Sequence, residues 1–312
     1  MPRESIQPRV VVTGATGTIG AAVCQALIAQ GRQPVGLSRS PARARMSAPG
    51  VEWHSWQDPL TQLPPSEALE GADGVIHLLG ESVAQRWTSG ARRRIRDSRV
   101  QSTRLLVNGL RQVADEKRPA VLVSQSATGY YGACGPQELD ERSQPGDDFL
   151  AGVVSAWEEE ALAAAGIMRV VTTRTGVVLS PEGGALAKML PFFRAGIGGP
   201  VAGGRQYVPW VHVDDVVAAL RFCLDSADAS GAVNVTAATP VTNAELSRAL
   251  GRALHRPAVL PVPALALKLL YGEMSEIVTT GQRAIPARLQ ELGFSFRHVE
   301  VESALRDVLG SR

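Results

Sequence analysis

The stretch that decides the fold is VVVTGATGTIG, at residues 10–20. Its three valines, residues 10–12, predict a buried strand, and the apolar residues of Ile19–Ile28 recur with helical spacing. Gly31 ends this helix, and a second strand follows at Pro34–Leu37. The chain therefore opens with a strand–helix–strand unit whose first turn is made of glycines and small residues.

Strands and helices continue to alternate through the first half of the chain. Buried strands are predicted at Asp73–Leu79, Ala120–Ser124 and Arg169–Thr173, and long helices at Ser89–Val113 and Phe149–Ala165. Because parallel strands need a crossover connection, this alternation predicts an α/β fold with a doubly wound parallel sheet of the Rossmann type.

The regular alternation of strands and helices stops after Thr175. Glycine pairs at 183–184 and 203–204 predict a loop-rich section. A helix at Val213–Leu224 and a last sheet strand at Val233–Val235 follow it. The chain is therefore expected to leave the sheet, build a separate part, and return to the sheet once.

The last quarter of the chain favours helices. They are predicted at Asn243–His255, with Asn243 as a cap, and at Ala264–Leu270, Pro286–Leu292 and Val301–Leu309. We therefore expect a Rossmann dinucleotide-binding domain at residues 1–180, to which 205–235 return. Residues 181–204 and 236–312 would form a smaller, mainly helical C-terminal lid on the substrate side.

Composition excludes several classes of protein. Of 312 residues, 45% are hydrophobic, enough for a large core, and the net charge of +2 argues against a nucleic-acid partner. Three cysteines without CxxC spacing and five scattered histidines argue against disulfides and against a metal site. Met1–Arg9 lacks the apolar core of a signal peptide, and Val259–Tyr271 is too short to cross a bilayer. We expect a cytoplasmic protein without membrane contact that acts on a small molecule.

The glycine loop is the first candidate binding site. Gly14, Gly17 and Gly20 follow a strand and open a helix, in a GxxGxxG arrangement. Such glycines permit the tight turn, the approach of a pyrophosphate to the backbone and close helix packing, while the helix N-terminus attracts the phosphates. The alternative is a purely structural turn.

The end of the second predicted strand bears on which dinucleotide is bound. Arg39 and Ser40 lie where an NAD site usually places an Asp or Glu for the ribose 2′-hydroxyl. A guanidinium suits a 2′-phosphate instead, and Arg43 and Arg45 are nearby. The sequence therefore favours NADP as the cofactor, with NAD possible, although a loop of solvated arginines would look the same.

Many short motifs, in order, resemble those of a known group of proteins. They are TGATGTIG (13–20), GESVAQRWT (80–88), IRDSRVQSTRLL (95–106), SATGYYG (126–132), GDDFL (146–150), WEEEA (157–161), RTGVVLSPEGGALAKML (174–190), GGPVAGGRQYVPWVHVDD (198–215), HRPAVLPVPA (255–264) and GQRAIPARLQELGF (281–294). The chain resembles the extended short-chain dehydrogenase/reductases, the sugar-nucleotide epimerase clan. It resembles most their atypical branch, labelled epimerase family protein, which has its own small C-terminal domain.

The resemblance implies roles for four segments. Those expected to contact the dinucleotide are Gly14, Thr16, Gly17, Thr18, Ile19 and Gly20 in the loop; Leu78, Leu79 and Gly80 beside the adenosine ribose; Ser124 and Ser126 beside the nicotinamide; and Arg174, Thr175, Gly176 and Val177 flanking it. Ser126 stands at the place of the clan's catalytic serine.

The chain departs from the clan at its acid/base pair. The clan uses YxxxK, in which the lysine lowers the pKa of the tyrosine and holds the ribose. No tyrosine here has a lysine four residues later, and Leu150 and Val154 stand at the corresponding helix positions. Tyr130, Tyr131 or Lys188 could substitute as catalytic groups, or each could be structural.

Three other residues are candidates for binding. Arg99 shares a helix face with apolar residues, so it should point inward, where a cofactor phosphate or an anionic substrate would neutralise it. Trp87 and Gln206 lie in loops expected to rim the cleft between the sheet and the lid, and are candidate substrate contacts.

Two functions remain open. The first is an NADP-dependent oxidoreductase or epimerase for a small polar substrate, with Ser126 polarising a carbonyl or hydroxyl. The second is a dinucleotide-binding sensor or scaffold without turnover, which the missing YxxxK would allow. The clan often dimerises through two long helices, so a homodimer through Ser89–Val113 and Phe149–Ala165 is possible.

Overall fold

The computed structural model describes residues 7–310. Its strands are β1 Arg9–Thr13, β2 Gln33–Ser38, β3 Glu52–Ser55, β4 Gly74–His77, β5 Val121–Ala127, β6 Glu138–Leu139, β7 Arg169–Thr175, β8 Val177–Leu179, β9 Tyr207–Val208, β10 Trp210–His212, β11 Gly231–Val235, β12 Val241–Thr242 and β13 Arg283–Ala284. Its α-helices are α1 Thr18–Ala29, α2 Pro41–Ser47, α3 Ser66–Leu69, α4 Ser89–Gln112, α5 Phe149–Leu162, α6 Gly184–Arg194, α7 Val213–Asp225, α8 Asn243–Ala253, α9 Ala264–Tyr271, α10 Glu276–Thr279, α11 Ala287–Glu291 and α12 Val301–Gly310.

Within that range, seven strands form one parallel sheet in the order β11-β7-β5-β4-β1-β2-β3. The prediction of an α/β fold with a doubly wound parallel sheet is therefore confirmed. The strand order reverses at β1, whose last residue, Thr13, lies beside His77 at the end of β4. A sheet of this kind has its crevice where the order reverses, at the carboxyl ends of the strands.

The alternation of side chains along β1 builds two layers of core. Val10 and Val12 pack with Leu27 of α1 and Leu220 of α7 on one face of the sheet. Val11 joins the opposite core, which includes residues of α4. Because successive strand residues point to opposite faces, a fully apolar β1 requires helices on both sides.

A third core lies in the C-terminal part of the molecule. Leu186 of α6, Leu250 of α8, Leu305 of α12 and Trp210 of β10 pack together there. Leu289 of α11 belongs instead to the core around α1 and α7, so the C-terminal segment contacts both parts of the molecule.

Three local predictions were wrong. The glycine-rich section contains an eleven-residue helix, α6, and the sheet gains an edge strand, β3, whose Trp53 ring lies over Gly36. Helix α8 is capped by Thr242 and not by Asn243: Thr242 accepts from the Glu245 amide while the Glu245 carboxylate accepts from the Thr242 amide. This capping box gives both the Thr242 amide and the Glu245 amide a hydrogen-bond partner.

The helix α9 is the most exposed apolar element. Leu265, Leu269 and Leu270 are each about two-thirds exposed or more, and no residue of α9 is buried. No helix in residues 7–310 is long and apolar enough to cross a membrane. Most of Met1–Arg9, for which the sequence predicts no signal peptide, lies outside the described residues.

Candidate functional site

The glycine loop joins β1 to α1 at the crevice. Gly14 has φ +65°, and a Cβ on it would lie 2.8 Å from the Leu78 carbonyl oxygen. A Cβ on Gly20 would lie 2.2 Å from the Gly14 oxygen, so the third glycine packs against the first rather than against the sheet. Gly17 precedes α1, and no side chain caps the helix there. The loop therefore leaves the first amides of α1 open to an anion such as a pyrophosphate.

A cavity of about 900 Å³ lies beside this loop. Six residues predicted to bind the cofactor line it: Gly14, Thr16, Arg39, Ser40, Leu79 and Gly80. Arg43, Arg94 and the rings of Trp53 and Trp56 add to the walls. The cavity thus connects the open end of α1 with the arginines that follow β2.

A buried hydrogen-bonded chain fixes the end of β4 against β1 and α4. The Leu78 amide donates to Thr13 Oγ1 at 3.0 Å, and Thr13 Oγ1 lies 2.7 Å from His77 Nδ1. On the other side, His77 Nε2 lies 2.9 Å from Thr103 Oγ1, whose proton goes to the Arg99 carbonyl oxygen. Thr103 must then accept from Nε2–H, which leaves Nδ1 to accept from Thr13. Burial lowers the pKa of His77 to about 3, so the imidazole is neutral.

Ser126 at the end of β5 belongs to a buried ionic cluster. Its hydroxyl donates to Glu158 Oε1 at 2.5 Å. Arg174 Nε and Nη2 donate to the two oxygens of the same carboxylate, at 2.9 Å each. All three side chains are at most 7% exposed. The Ser126 proton is therefore committed to Glu158, and Arg174 is paired in the bidentate geometry that binds guanidinium most strongly to a carboxylate.

The two adjacent tyrosines differ in their surroundings. The Tyr131 hydroxyl donates to Asn234 Oδ1 at 2.7 Å and accepts from Arg174 Nη1 at 3.2 Å. Tyr131 is fully buried, and burial raises its pKa to about 12. Tyr130 is partly exposed, the Arg174 guanidinium lies 3.4 Å from its ring centre, and its hydroxyl has no hydrogen bond within residues 7–310. Of the two phenols, only Tyr130 is free to exchange a proton with a ligand.

The positions that would carry YxxxK are apolar and packed. A Cβ on Gly129 would lie 3.6 Å from Leu150 Cβ and 4.0 Å from Val154 Cγ2. Helix α5 thus presents hydrocarbon to the turn that follows β5. Its next inward position is Glu158, which is buried with Ser126.

The segment after β7 crosses from the main sheet into the small sheet of β8 and β10. Thr175 Oγ1 donates to the Thr173 oxygen, and the Val177 amide donates to the Pro209 oxygen at 2.7 Å. A Cβ on Gly176 would lie 1.9 Å from that same oxygen, so only glycine fits there. Ser124 is buried, with a long contact of 3.4 Å from its hydroxyl to the Gln125 oxygen. The predicted cofactor roles of these residues stay predictions.

Several contacts join the Rossmann part to the lid. A Cβ on Gly183 would lie 2.5 Å from Thr18 Oγ1, so the start of α6 rests on the glycine loop. Lys188 is exposed, and its Nζ donates to the Ala84 oxygen at 2.5 Å. Glu273 pairs with Arg92, whose guanidinium stacks 4.7 Å from the Phe149 ring. These contacts join the C-terminal part of the molecule to α1, α4 and the loop before α4.

The predicted substrate contacts are held by backbone hydrogen bonds. Trp87 Nε1 donates to the Val83 oxygen at 3.0 Å, and its ring meets Phe149 edge to face at 5.1 Å. Gln206 Nε2 donates to the Val201 and Val278 oxygens at 3.1 and 2.8 Å. Trp87 therefore packs against the first residue of α5, whereas Gln206 links two backbone segments of the C-terminal part.

Comparison with known proteins decides the family. Residues 10–236 match the NAD dependent epimerase/dehydratase family, and residues 262–308 match a domain of unknown function, DUF1731. The chain belongs to the NAD dependent epimerase/dehydratase family. The resemblance to the epimerase family proteins is confirmed, because relatives of that name match nearly the whole chain.

Relatives of this family member cover nearly its whole length. The chloroplastic SDR39U1 homolog of Arabidopsis thaliana is 39% identical over 98% of this chain and 88% of its own. YfhF of Bacillus subtilis is 35% identical over 97% of this chain and 98% of its own. The crystal structure of human epimerase family protein SDR39U1 with NADPH superposes with a TM-score of 0.87 and 32% identity, covering 97% of this chain and 100% of that one.

Sequence reasoning missed Glu158 in this epimerase/dehydratase chain. The residue lies in the WEEEA motif, four positions after Val154, on the same face of α5. That spacing was visible in the sequence, but three consecutive glutamates hide which one points inward. The chain from Thr13 through His77 to Thr103 was also missed, because its members come from three separate elements.

One cluster has the composition of a metal site. His212, Asp214, His298 and Asp307 each bring a ligand atom within 4.8 Å of the others. His212 Nδ1, however, accepts from the Asp214 amide at 3.0 Å, so the ring proton lies on Nε2, which faces Asp307 at 3.3 Å. A protonated nitrogen cannot bind a metal, and the two imidazoles stack at 3.6 Å instead of converging. His212 thus caps α7 through its side chain, and burial followed by the charge of His298 lowers its pKa.

Proposed function

We propose that this chain binds NADP(H) in the cavity beside the glycine loop. The observation that carries the proposal is the continuity of that cavity, which runs from Gly14 and Thr16 to Arg39, Ser40 and Arg43. A dinucleotide needs an anion site at a helix N-terminus, and a 2′-phosphate needs a cation beside the adenosine ribose. Both lie on the walls of this one cavity.

Each part of NADP(H) would contact a different part of the site. The pyrophosphate would take the open amides of α1, and Arg39 and Arg43 would hold the 2′-phosphate. The nicotinamide would lie toward the end of β5, under the lid. A bound NADPH supplies a hydride there. The human relative was solved with NADPH, which supports the same ligand for this chain.

We further propose an oxidoreductase or epimerase that acts on a small polar substrate between the sheet and the lid. Tyr130 is the residue we assign to proton transfer, since its hydroxyl is unengaged and Ser126 and Tyr131 are committed to other partners. Trp87 would form an aromatic wall for the substrate. The lid would consist of the parts around α6, α8 and α12.

Thermal unfolding with NADPH, NADP⁺ or NADH tests the cofactor. A ligand at 100 times its Kd stabilises the native state by about 2.7 kcal/mol, so NADPH should raise the melting temperature by several degrees. Arg39→Asp should remove the preference for NADPH over NADH. Arg45→Asp is the matched control, because Arg45 is exposed on the neighbouring helix α2 and does not line the cavity. No shift with any dinucleotide would overturn the proposal.

A second function has one observation in its favour. The hydroxyls of Ser126 and Tyr131 are both buried in structural hydrogen bonds, which is the arrangement expected of a dinucleotide-binding sensor without turnover. A sensor would gain stability with NADPH and yet oxidise none of it with any carbonyl compound. Oxidation of bound NADPH by one such compound would exclude the sensor.

A further inference from the structure

Arg99 is a partly buried cation with unused donors. Its Nη1 donates to the Glu81 and Ile95 carbonyl oxygens at 2.9 and 3.1 Å, and no other hydrogen bond of its guanidinium is formed within residues 7–310. No carboxylate of that range pairs with it, since the Glu81 side chain faces Arg94 instead, at 3.8 Å. Several N–H groups of the guanidinium are therefore available to a ligand.

The position of Arg99 relates it to the proposed cofactor cavity. A Cβ on Gly80 would lie 3.1 Å from both Arg99 Cζ and Nη2, so the guanidinium lies directly beneath Gly80 at the end of β4. On its other side, Cζ is 5.3 Å from the ring centre of Trp157 on α5. Gly80 and Ser102 line the cavity, whereas Arg39 lies across the switch point, after β2. Arg99 is thus at the end of the cavity away from the 2′-phosphate site.

No carboxylate in residues 7–310 is hydrogen-bonded to Arg99, and the Glu81 carboxylate acts on its charge only from a distance. Burial lowers the pKa of Arg99 to about 10, which still leaves it protonated at neutral pH. A desolvated cation without an anion is unfavourable, and such a group is retained where a ligand completes it. Helix α5 supplies no lysine beside Arg99. The two positions where the clan has YxxxK are Leu150 and Val154, which pack against Gly129.

We propose that Arg99 binds the nicotinamide half of the dinucleotide, through the phosphate and ribose oxygens that pass over Gly80. This inference rests on the proposed binding of NADP(H). Two or more charge-assisted hydrogen bonds would form there, since the guanidinium is planar and its Nη2 lies beside Gly80, which lines the cavity. Arg39 and Arg99 would then hold the two ends of one ligand from opposite sides of the switch point.

The test compares two ligands in Arg99→Met. NADPH contains the nicotinamide half, whereas adenosine 2′,5′-bisphosphate contains only the adenosine, its 2′-phosphate and one further phosphate. Titration calorimetry should show NADPH bound roughly 10- to 100-fold more weakly by the variant, with the bisphosphate affected less than threefold. Arg96→Met is the matched control, because Arg96 is exposed on the same helix and should change neither affinity.

The stability of the ligand-free variant separates binding from structure. Methionine keeps a contact with Trp157 and removes a partly desolvated charge, which offsets the loss of two hydrogen bonds to carbonyl oxygens, so the melting temperature of free Arg99→Met should stay close to that of the unmodified protein. Arg99→Lys, which keeps the charge with fewer donors, should lose less affinity for NADPH than Arg99→Met. These two results would show that Arg99 binds the ligand and does not mainly stabilise the fold.

Three outcomes would contradict the proposals in distinguishable ways. Unchanged NADPH affinity in Arg99→Met and Arg99→Lys overturns the role of Arg99 alone. Equal weakening of NADPH and the bisphosphate places Arg99 at the adenosine end and overturns it as well. If the unmodified protein binds neither ligand, the cofactor proposal itself fails.

Discussion

At the scale of single residues, Tyr130 and Tyr131 show how adjacent side chains of one type can differ in chemistry. Arg174 touches both: it lies over the Tyr130 ring and donates to the Tyr131 hydroxyl. Only Tyr131 is tied into the buried network through Asn234. The sequence offered both tyrosines as equal candidates, because their neighbours in space come from β7 and β11.

Tyr130→Phe tests the assignment of the proton-transfer group. Loss of a general acid should slow single-turnover oxidation of bound NADPH by about 10²- to 10⁴-fold, while the affinity for NADPH stays unchanged. The measurement is the NADPH absorbance decay with whichever carbonyl compound supports turnover in the unmodified protein. An unchanged rate would remove Tyr130 from the mechanism.

Tyr131→Phe is the matched control for this pair. It leaves Asn234 Oδ1 and an Arg174 donor buried without their partner, which should cost about 1–3 kcal/mol of unfolding free energy. Its turnover per folded molecule should remain that of the unmodified protein. The two variants therefore separate a chemical role from a structural one.

At the scale of elements, the link between β1, β4 and α4 makes stability depend on pH. His77 is neutral in the folded protein because burial lowers its pKa to about 3 from 6.5. Below pH 6.5 the unfolded chain binds a proton that the folded chain does not, so folding stability falls as the pH decreases from 6.5 toward 3. Above pH 6.5 this contribution is complete.

His77→Gln, which cannot titrate in this range, provides the comparison. The variant should be less stable than the unmodified protein at pH 7.5, since the hydrogen bonds to Thr13 and Thr103 are disturbed. The difference should shrink by up to about 1.4 kcal/mol per pH unit below pH 6.5. Urea unfolding at several pH values measures it, and a difference independent of pH would refute this role of His77.

The elements also show what a single sequence can predict. The central strands were predictable because they are apolar runs that a two-sided sheet buries, and the glycine loop because its spacing has a mechanical cause. The edge strand β3 was not, since Glu52 and His54 alternate with Trp53 in only four residues. The helix α6 was hidden because the glycines around it dominate the composition.

The candidate site likewise contains residues that could be predicted from the sequence and residues that could not. The cavity-lining residues from Gly14 to Arg39 belong to one continuous motif, so sequence spacing alone pointed to them. Glu158 could not be assigned from sequence, because its partners Ser126 and Arg174 lie on strands 32 and 16 residues away. The hydrogen-bond partners of such a buried side chain depend on tertiary contacts.

At the scale of the whole molecule, one carboxylate of the Rossmann part holds the segment that leads into α12. Asp215 of α7 accepts the backbone amides of Arg297 and His298 at 2.8 and 3.0 Å, just before α12 enters the lid core. The carboxylate is 2% exposed, and it is the buried anchor between the Rossmann part and α12.

Asp215→Ala should therefore destabilise the whole molecule. Two charge-assisted hydrogen bonds are lost and the buried His298 amide is left without its partner, so we expect a loss of about 2–3 kcal/mol in urea unfolding. Asp214→Ala is the control: its carboxylate is half exposed, and its ion pair with Arg297 should contribute less than about 1 kcal/mol. Equal effects of the two substitutions would contradict the anchor.

The contact of Gly183 with Thr18 has a consequence for kinetics. The segment that begins α6 lies against Thr18, the first residue of α1, beside the amides proposed to bind the pyrophosphate. If NADP(H) binds as proposed, its release would require this segment to move, and exchange would be paced by that motion rather than by diffusion. Such an arrangement would favour a nucleotide that stays bound from one turnover to the next, as a prosthetic group rather than a passing cosubstrate.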